Sequence, residues 1–419
     1  MNILIFQHTY FPFVGGAEVA VREITDRIGK PQTVASAGIK VLADTSQEEN
    51  LTKRHSFFLQ SANQVEFDLI TAKIYNKLSD YEKIGNVNVY RVGRGWILDK
   101  YFYPILAYIK AGKLHREKRY DIAQGIMATW GGIAALLFKL RYKKVKYLLT
   151  EQSGDSEFFI WIRTWFWYPI YRMVYTKADC AQVISRWLER RVRRYGCNGE
   201  IKIVPNGVNI AKFKIKNLKL QVREELGFGR NDILIITASR LVEKNGLEDL
   251  VKGIKEIELR IKNYESGIEA EKIRLLIAGT GKLEQKLKKL VKNLYLQDKV
   301  FFLGHISQDD LPKYLRASDV FCRPSLTEGF GNSFIEAMAT GIPVIATPVG
   351  GIPDFLEDGK TGIFCKVKNP KSIADSIILL LSDKALYDNI VENARRMVEE
   401  KYDWDIIADE MRNIYNKLV

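Results

Sequence analysis

The residues from Ser325 to Ala339 read SLTEGFGNSFIEAMA and follow the apolar segment Val320–Cys322. Gly329 and Gly331 allow the backbone of this stretch to approach a ligand closely, because glycine carries no side chain. A helix that begins near Asn332 would direct its unpaired N–H groups and the positive end of its dipole at the same place. The pattern therefore predicts a strand, a tight turn and a helix that together bind an anion or a hydroxyl-rich ligand.

Two carboxylates flank this turn. Glu328 stands before the turn, and Glu336 lies four residues past Asn332, within the first turns of the helix. The carboxylate of Glu336 can accept hydrogen bonds from the two vicinal hydroxyls of a ribose. An ordinary helix start with an acidic first turn is the alternative interpretation.

The rest of the chain alternates short apolar runs with longer amphipathic stretches, which is typical of βα units around parallel sheets. The expected strands are Asn2–Gln7, Lys40–Ala43, Val87–Val92, Asp121–Met127, Val145–Thr150, Cys180–Ile184, Ile201–Val204, Ile233–Ala238, Ile273–Ala278, Val300–Leu303, Val320–Cys322 and Val344–Ala346. The expected helices between them include Ala17–Ile28, Leu247–Arg260, Lys282–Asn293, Leu311–Ala317 and Phe334–Ala339. We therefore predict an α/β fold with two separate doubly wound sheets.

The turn-forming run Val204–Asn209 lies between the two groups of strands and is the predicted interdomain linker, with an ordinary turn as the alternative. We predict one domain over residues 1–205 and a second over 206–398. The last segment, residues 399–419, contains Trp404–Leu418, whose apolar residues have helical spacing and need an apolar surface to cover.

A second polar cluster follows the predicted strand Ile233–Ala238. Arg240 offers a planar fork for phosphate oxygens, and Lys244 adds a compact charge four residues later. Ligands of open α/β sheets bind at this edge, so two cations on one loop predict a diphosphate site. A solvated loop with an ion pair to Glu243 is the alternative.

A third element, Gly15-Gly16-Ala17-Glu18, comes after the first strand and opens the helix Ala17–Ile28. It lacks the full G-x-G-x-x-G pattern of dinucleotide-binding proteins. As the first βα turn of the first domain, it is still predicted to place backbone N–H groups against a phosphate or sugar across a cleft.

The formal net charge of +14 lies almost entirely in residues 1–205. A one-sided basic surface favours anionic partners, and a surface that serves only solubility is the alternative. No basic leader or cleavage site precedes the first strand, so we expect a cytoplasmic protein. The four scattered cysteines lack C-x-x-C spacing, which argues against a disulfide framework and a zinc site.

The aromatic stretch 158–172 is the candidate membrane contact. Arg163 and Pro169 within it oppose a spanning helix, whereas Trp and Tyr beside Arg suit the headgroup boundary of acidic lipids. The basic segment Arg186–Tyr195 would add a cationic face. We expect peripheral contact with an anionic membrane on its cytoplasmic side. The alternative is that these aromatic side chains fill the core of the first domain and that the arginines are solvated.

In their order along the chain, these motifs resemble glycosyltransferase family 4. The resemblance is carried by Gly15-Gly16-Ala17-Glu18, Pro205-Asn206-Gly207-Val208, Arg240 and Lys244, Glu328 to Glu336, Gly341–Ala346 and Gly350–Pro353, and is strongest from Ile233 to about Pro370. It implies a GT-B fold, in which two Rossmann-like domains face a cleft and the terminal helix crosses back to the first domain. The second domain would hold the donor, and the first would hold the acceptor.

The resemblance also implies a retaining hexosyl transfer from a nucleotide diphosphate-sugar to a glycan or lipid-linked glycan, in cell-surface polysaccharide or glycoconjugate synthesis. Glu328, Arg240 and Lys244 are the predicted catalytic residues. The predicted donor-binding residues are Gly15, Gly16, Arg240, Lys244, His305, Ile306, Glu328, Gly329, Phe330, Gly331, Asn332 and Glu336. No cofactor, metal or nucleic-acid partner is expected, because cations and helix N-termini can stabilise a departing diphosphate.

Two departures from the family pattern concern the site. Asn245 precedes Gly246 where family members commonly carry lysine, so Lys244 is predicted to take the phosphate contact. Many members also have a histidine after the strand Val145–Thr150, and Gln152 stands in that place here. The predicted acceptor contacts are Glu151, Gln152 and Asp155, and a histidine-assisted step is not expected.

Two other classes of function are compatible with these residues. A sugar-nucleotide epimerase or hydrolase of the GT-B type would need the donor but no acceptor. A non-catalytic basic protein that binds membranes or nucleic acid would need neither the two carboxylates nor the loop that carries Arg240 and Lys244.

Overall fold

Two β-sheets, each covered by helices on both faces, form the framework of this computed structural model. The structure describes residues 1–29, 65–96, 98–213, 219–261 and 269–419. Strand residues alternate between the two faces, and both faces are buried. In the first strand, Leu4 and Phe6 join one core while Ile3 and Ile5 join the other. Strands buried on both faces read as continuous apolar runs, which is why the sequence pattern located them.

Within the described residues, the first sheet has eight strands and the second has six. The strands of the first sheet are β1 Asn2–Phe6, β2 Glu66–Ala72, β3 Tyr81–Ile84, β4 Val87–Val92, β5 Ile122–Ile126, β6 Lys146–Glu151, β7 Cys180–Val183 and β8 Glu200–Ile203. Those of the second are β9 Ile233–Ala238, β10 Ile273–Ala278, β11 Val300–Gly304, β12 Val320–Arg323, β13 Val344–Ala346 and β14 Ile363–Phe364. Their orders are β3-β4-β2-β1-β5-β6-β7-β8 and β11-β10-β9-β12-β13-β14, and only the β3–β4 pair is antiparallel. The prediction of two doubly wound sheets is confirmed.

The helices run between the strands. They are α1 Gly16–Ile28, α2 Asp99–Lys118, α3 Gly132–Arg141, α4 Glu157–Thr164, α5 Tyr168–Thr176, α6 Arg186–Arg194, α7 Ile210–Phe213, α8 Lys219–Glu225, α9 Leu247–Ile261, α10 Glu284–Asn293, α11 Leu311–Ala317, α12 Asn332–Thr340, α13 Pro370–Ser382, α14 Lys384–Lys401 and α15 Trp404–Leu418. The helices predicted from apolar spacing are all present, with ends shifted by one or two residues.

Strand β2 was not predicted from the sequence, because the acidic residue Asp68 interrupts its apolar run. Asp68 is buried, and its carboxylate accepts hydrogen bonds from Tyr120, Lys118 and Asn88. Partners that are distant in sequence therefore make this charge tolerable in a central strand. The short strands β3 and β14 were also missed, and the predicted strand Lys40–Ala43 lies outside the described residues.

Helix α15 packs against the first sheet and α1. Its buried face presents Trp404, Ile407, Met411, Ile414 and Tyr415 to the core that contains β1. The Tyr415 hydroxyl donates to Gln124 Oε1 at 2.8 Å, which ties the end of the chain to β5. The exact division into 1–205, 206–398 and 399–419 stays a prediction.

The aromatic stretch forms α4, a 3-10 turn at Trp165–Trp167 and α5. It is only partly core, which corrects the alternative of a filled domain interior: Ile160 and Tyr171 are buried, whereas Trp161 and Phe166 are 60% and 70% exposed. Among the described residues, no helix has the length and apolarity that a membrane crossing requires.

Candidate functional site

The two polar clusters predicted in the second sheet meet at its topological switch point. Chain order reverses between β9 and β12, and parallel sheets bind ligands beside the carboxyl ends of such strands. The Arg240 loop follows β9 and the Glu328 turn follows β12. Leu326 N donates to Lys244 O at 2.7 Å, so the two loops are in direct contact. The fold thus places both cations and both carboxylates at one edge of the sheet.

Glu328 is held in place by a buried arginine. Arg323 Nη2 lies 2.6 Å from Glu328 Oε2, and the backbone N–H of Gly329 donates to Glu328 Oε1 at 3.0 Å. The Arg323 side chain is 6% exposed and also donates to Ser333 Oγ at 2.8 Å. Arg323 is not among the site residues predicted from the sequence. A cation at the end of an apolar strand, five residues before a carboxylate, was the available signal.

The glycines of this turn are required by close backbone contacts. Gly331 precedes α12 with a φ of +96°, a conformation that side chains rarely adopt. A Cβ on Gly350 would lie 1.7 Å from the Glu328 carbonyl oxygen, and the N–H of Gly351 donates to that same oxygen. The Gly350-Gly351 turn therefore packs against the backbone of Glu328 and hydrogen-bonds to it.

Glu336 is a partly buried carboxylate on the first turns of α12. Burial raises its pKa to about 7, and the positive charges of Lys212 and Arg323 oppose that rise. No described donor hydrogen-bonds to its carboxylate. A ligand with paired hydroxyls would supply donors that stabilise the charged form.

The polar side chains of the cation loop, residues 240–246, differ in their surroundings. Arg240 is exposed, and its guanidinium makes no ion pair with another described residue. Asn245 is 4% exposed, and its amide donates to the Arg240 carbonyl oxygen at 2.6 Å. Gly246 has a φ of +69°, and a Cβ there would lie 1.9 Å from the Pro324 carbonyl oxygen. The Asn245 side chain therefore stabilises the conformation of the loop, whereas the Lys244 side chain extends into the cleft.

The first sheet faces these loops across a narrow cleft. Lys244 Nζ lies 3.4 Å from Asp155 Oδ1, and Thr327 Oγ1 donates to the Gly154 carbonyl oxygen at 3.0 Å. A Cβ on Gly154 would lie only 2.4 Å from the backbone nitrogen of Gly329. The segment after β6 thus touches both loops of the second sheet.

The glycine turn after β1 also borders the cleft. The nearest atom to a Cβ built on Gly16 is Asn332 Nδ2, at 3.6 Å, and Gly15 begins α1 as its N-cap. The Asn206 amide nitrogen lies 3.1 Å from Asn332 Oδ1 and 3.4 Å from Gln152 Oε1. Asn206, predicted as part of the linker and of one family motif, is therefore a buried contact between the two sheets.

Comparison with known proteins identifies the family of this chain. The model described as Glycosyltransferase Family 4 matches residues 59–212, and the model described as Glycosyl transferases group 1 matches residues 219–397. The glycosyltransferase MJ1607 of Methanocaldococcus jannaschii is 36% identical over 380 residues, which cover 84% of this chain and 90% of that protein. The chain belongs to glycosyltransferase family 4. The resemblance inferred from the motifs is confirmed.

Two further relatives have names that differ in the molecules concerned. N-acetyl-alpha-D-glucosaminyl L-malate synthase of Bacillus anthracis is 32% identical over 52% of this chain and 54% of that protein. A GDP-mannose-dependent monoacylated alpha-(1-6)-phosphatidylinositol monomannoside mannosyltransferase of Corynebacterium glutamicum is 29% identical over 58% of this chain and 63% of that protein.

Solved structures confirm the GT-B fold of this glycosyltransferase. Sucrose-phosphate synthase from Thermosynechococcus elongatus superposes with a TM-score of 0.77 at 21% identity and covers 100% of this chain and 98% of its own. HepE from Anabaena, in complex with UDP-glucose, superposes with a TM-score of 0.72 at 16% identity and covers 100% of both chains.

Three of the predicted donor-binding residues differ in how exposed their side chains are. His305 is exposed and Ile306 half-buried after β11, beside an open position at Gly304. The Phe330 side chain is 1% exposed and packs on Phe355 and Tyr402, so only its backbone can contact a donor.

The predicted acceptor residues also separate. Glu151 is 1% exposed, and its carboxylate accepts from the N–H groups of Ala128 and Ser153 and from the Tyr175 hydroxyl. This geometry argues against direct acceptor contact by Glu151 and favours a role in holding β6. Gln152 and Asp155 lie at the cleft and face the second sheet.

Proposed function

We propose that this protein is a retaining glycosyltransferase that moves a hexosyl group from a nucleotide diphosphate-sugar to a glycan or lipid-linked glycan. The observation that carries the proposal is the meeting of the Arg240 loop and the Glu328 turn at the switch point of the second sheet. The expected setting is the synthesis of a cell-surface polysaccharide or glycoconjugate. The Corynebacterium relative, which acts on a phosphatidylinositol mannoside, supports a lipid-linked acceptor.

Each group at the cleft has a role that its chemistry favours. Arg240 and Lys244 hold the diphosphate and stabilise its charge as it departs, together with the N-terminus of α12. Glu336 accepts hydrogen bonds from the ribose hydroxyls. Glu328, oriented by Arg323, accepts hydrogen bonds from the transferred sugar. With cations already at this position, no metal is needed to stabilise the leaving group.

The first experiment is a calorimetric titration of UDP, GDP and ADP, and of their glucose and mannose conjugates, with EDTA present. One nucleotide is expected to bind in the micromolar range and to identify the base. Arg240→Ala and Glu336→Ala should each weaken binding about tenfold or more, as expected for the loss of a hydrogen bond to a charged group. Arg396→Ala, which alters an exposed helix position far along the chain, is the matched control. Unchanged binding in both cleft variants would refute the site assignment.

The stereochemistry and the reaction class need product analysis. The donor that binds is incubated with the protein and a panel of sugar and lipid-linked acceptors, and the anomeric configuration of the product is read by NMR. Retention is expected. Conversion of the donor without an acceptor would instead identify an epimerase or hydrolase.

Peripheral membrane contact through α4 and α5 is a second part of the proposal. Phe158, Trp161, Trp165 and Phe166 are 60–70% exposed, and Arg163 stands among them. Exposed aromatic side chains beside arginine suit the interface of an acidic bilayer. Co-sedimentation with phosphatidylglycerol vesicles should exceed that with phosphatidylcholine vesicles. It should fall several-fold in Trp161→Ala/Trp165→Ala but not in Tyr295→Ala, which removes an aromatic ring that is 84% exposed in the second domain.

A further inference from the structure

A cavity of about 330 Å³ lies in the first domain, away from the loops of the second sheet. It forms where β1 and β2 end and α2 begins. The side chains that matter in its wall are His8, Lys73, Tyr75, Trp96, Asp99 and Lys100. None of these residues belongs to the predicted donor or acceptor contacts.

The charges in the wall leave one cation, Lys100, without an ion-pair partner; its ammonium group lies 4.8 Å from the centroid of the Tyr101 ring. Lys73 Nζ pairs with Asp80 Oδ1 at 2.6 Å. Asp99 Oδ2 accepts the backbone N–H groups of Arg94 and Trp96, at 2.6 and 2.9 Å. Lys100 is exposed and makes no ion pair with another described residue. The cavity therefore favours an anionic ligand.

The imidazole ring of His8 also lines the cavity. Its Nε2 is buried and has no hydrogen-bond partner among the described residues. Burial, with the charge of Lys100, lowers the pKa of His8 to about 4, so the imidazole is neutral near pH 7. A neutral imidazole can exchange a hydrogen bond with a hydroxyl or a phosphate oxygen.

Beyond the cavity, α2 exposes an apolar face that no described residue covers. Tyr101, Phe102, Ile105 and Ile109 are each 50–55% exposed. The opposite face of the same helix is buried. A helix that is apolar on both sides needs a cover on both sides.

This face continues into the α4–α5 surface through contacts between aromatic rings, one edge-on and one stacked. The ring centroids of Tyr101 and Trp130 are 5.9 Å apart, and those of Trp130 and Trp167 are 6.3 Å apart. From Lys100 to Arg116 the sequence contains four Lys or Arg residues and no acidic residue, and Asp99 and Glu117 stand on either side of this range. An apolar surface with mainly basic neighbours complements an acidic lipid layer more closely than a protein partner with mixed charge.

We propose that the cavity receives the anionic head group of an amphiphilic acceptor, whose apolar chain lies along the exposed face of α2. The inference rests on the proposed function, and it names the chemical class of the acceptor: a phosphate-bearing lipid. Lys100 contacts the anion, and Trp96 and Tyr75 provide ring surfaces for a sugar. The cavity lies at the same sheet edge as Gly16, which faces Asn332 of the donor side.

The test uses three probes below their micelle concentrations: dodecyl phosphate, butyl phosphate and dodecyl maltoside. Binding to the wild-type protein, measured by calorimetry, should be tightest for dodecyl phosphate. Lys100→Glu should weaken both phosphate probes about tenfold or more and leave dodecyl maltoside unchanged. Phe102→Ala/Ile105→Ala should weaken both dodecyl probes and leave butyl phosphate unchanged. Lys113→Glu, an exposed charge change on the same helix outside the cavity, is the control and should change none of them.

Nucleotide titrations on the same variants separate this inference from the proposed function. Donor affinity should be unchanged in all of them, because none of the altered residues lies at the donor loops. If a nucleotide binds but Lys100→Glu and Lys113→Glu have equal effects on dodecyl phosphate, the cavity inference is wrong and the donor site stands. If no phosphate probe binds the wild-type protein, the inference is likewise wrong.

Discussion

Lys244 Nζ lies 3.4 Å from Asp155 Oδ1, and this ion pair joins the cation loop of the second domain to the segment after β6 of the first. Both side chains are partly exposed, at 27% and 35%. The lysine predicted to hold the donor diphosphate is therefore paired with a carboxylate of the first domain. A diphosphate held by Lys244 would compete with Asp155 for the same ammonium group.

Asp155→Asn should tighten the binding of a nucleoside diphosphate about two- to fivefold, since a partly exposed ion pair contributes only about 0–1 kcal/mol. The calorimetric Kd of the variant, compared with the wild type, measures this change. Asp388→Asn removes an exposed carboxylate from a helix of the second domain and should leave the Kd unchanged. Weaker binding in Asp155→Asn would show instead that Asp155 supports the bound donor.

Gly154→Ala should prevent the two domains from meeting in the present arrangement. The added Cβ would lie 2.4 Å from the Gly329 nitrogen, and a backbone atom cannot move aside as a side-chain tip can. Transfer should fall about a hundredfold, because small displacements at a reacting centre have effects of that order. The melting temperature should change little, since the contact lies between two loops, outside the strands of both sheets.

A matched substitution controls for the loss of a glycine. Gly112 lies in α2, and a Cβ there would meet its nearest neighbour, the Tyr142 hydroxyl, at 3.4 Å. Gly112→Ala should keep full activity. Full activity in Gly154→Ala would mean that catalysis does not require this contact between the domains.

Arg323→Met should destabilise the protein by about 3 kcal/mol and reduce transfer strongly, because it leaves the Glu328 carboxylate without its buried partner. Chemical denaturation gives the stability, and initial rates give the transfer. The double variant Arg323→Met/Glu328→Leu should recover much of the stability but none of the activity. If the double variant is no more stable than the single one, the two side chains do not act as a pair.

Donor binding should depend on pH through Glu336. Burial raises the pKa of this carboxyl to about 7, whereas ribose hydroxyls would favour its charged form, so donor binding should lower the pKa again. The affinity for the nucleotide should therefore rise between pH 5.5 and 7, by at most about tenfold per pH unit, and level off above pH 7.

Glu336→Gln provides the reference for this pH dependence. The phosphates of the ligand titrate in the same range, and the ratio of the wild-type Kd to the variant Kd cancels their contribution. A ratio that stays constant from pH 5.5 to 8 would contradict a role for Glu336 in binding the ribose.

The sequence by itself was enough to predict both sheets, because strands buried on two faces and helices with one apolar face carry their periodicity locally. It was also enough to identify the family and to predict the donor motifs, since a glycine turn, a helix start and nearby charges are all local features. It did not reveal β2, where the charge of Asp68 conceals a central strand until Tyr120 and Lys118 are seen to satisfy it.

Only the tertiary structure decided which partner each charged group has. The Lys244–Asp155 pair joins residues 89 positions apart, and spacing along the chain contains no information about such a distance. The same holds for Asn206 beside Asn332, and for the cavity that β1, β2 and the start of α2 enclose. Local sequence specifies what each residue can do chemically, whereas packing of distant elements determines which groups meet and which remain free to bind a ligand.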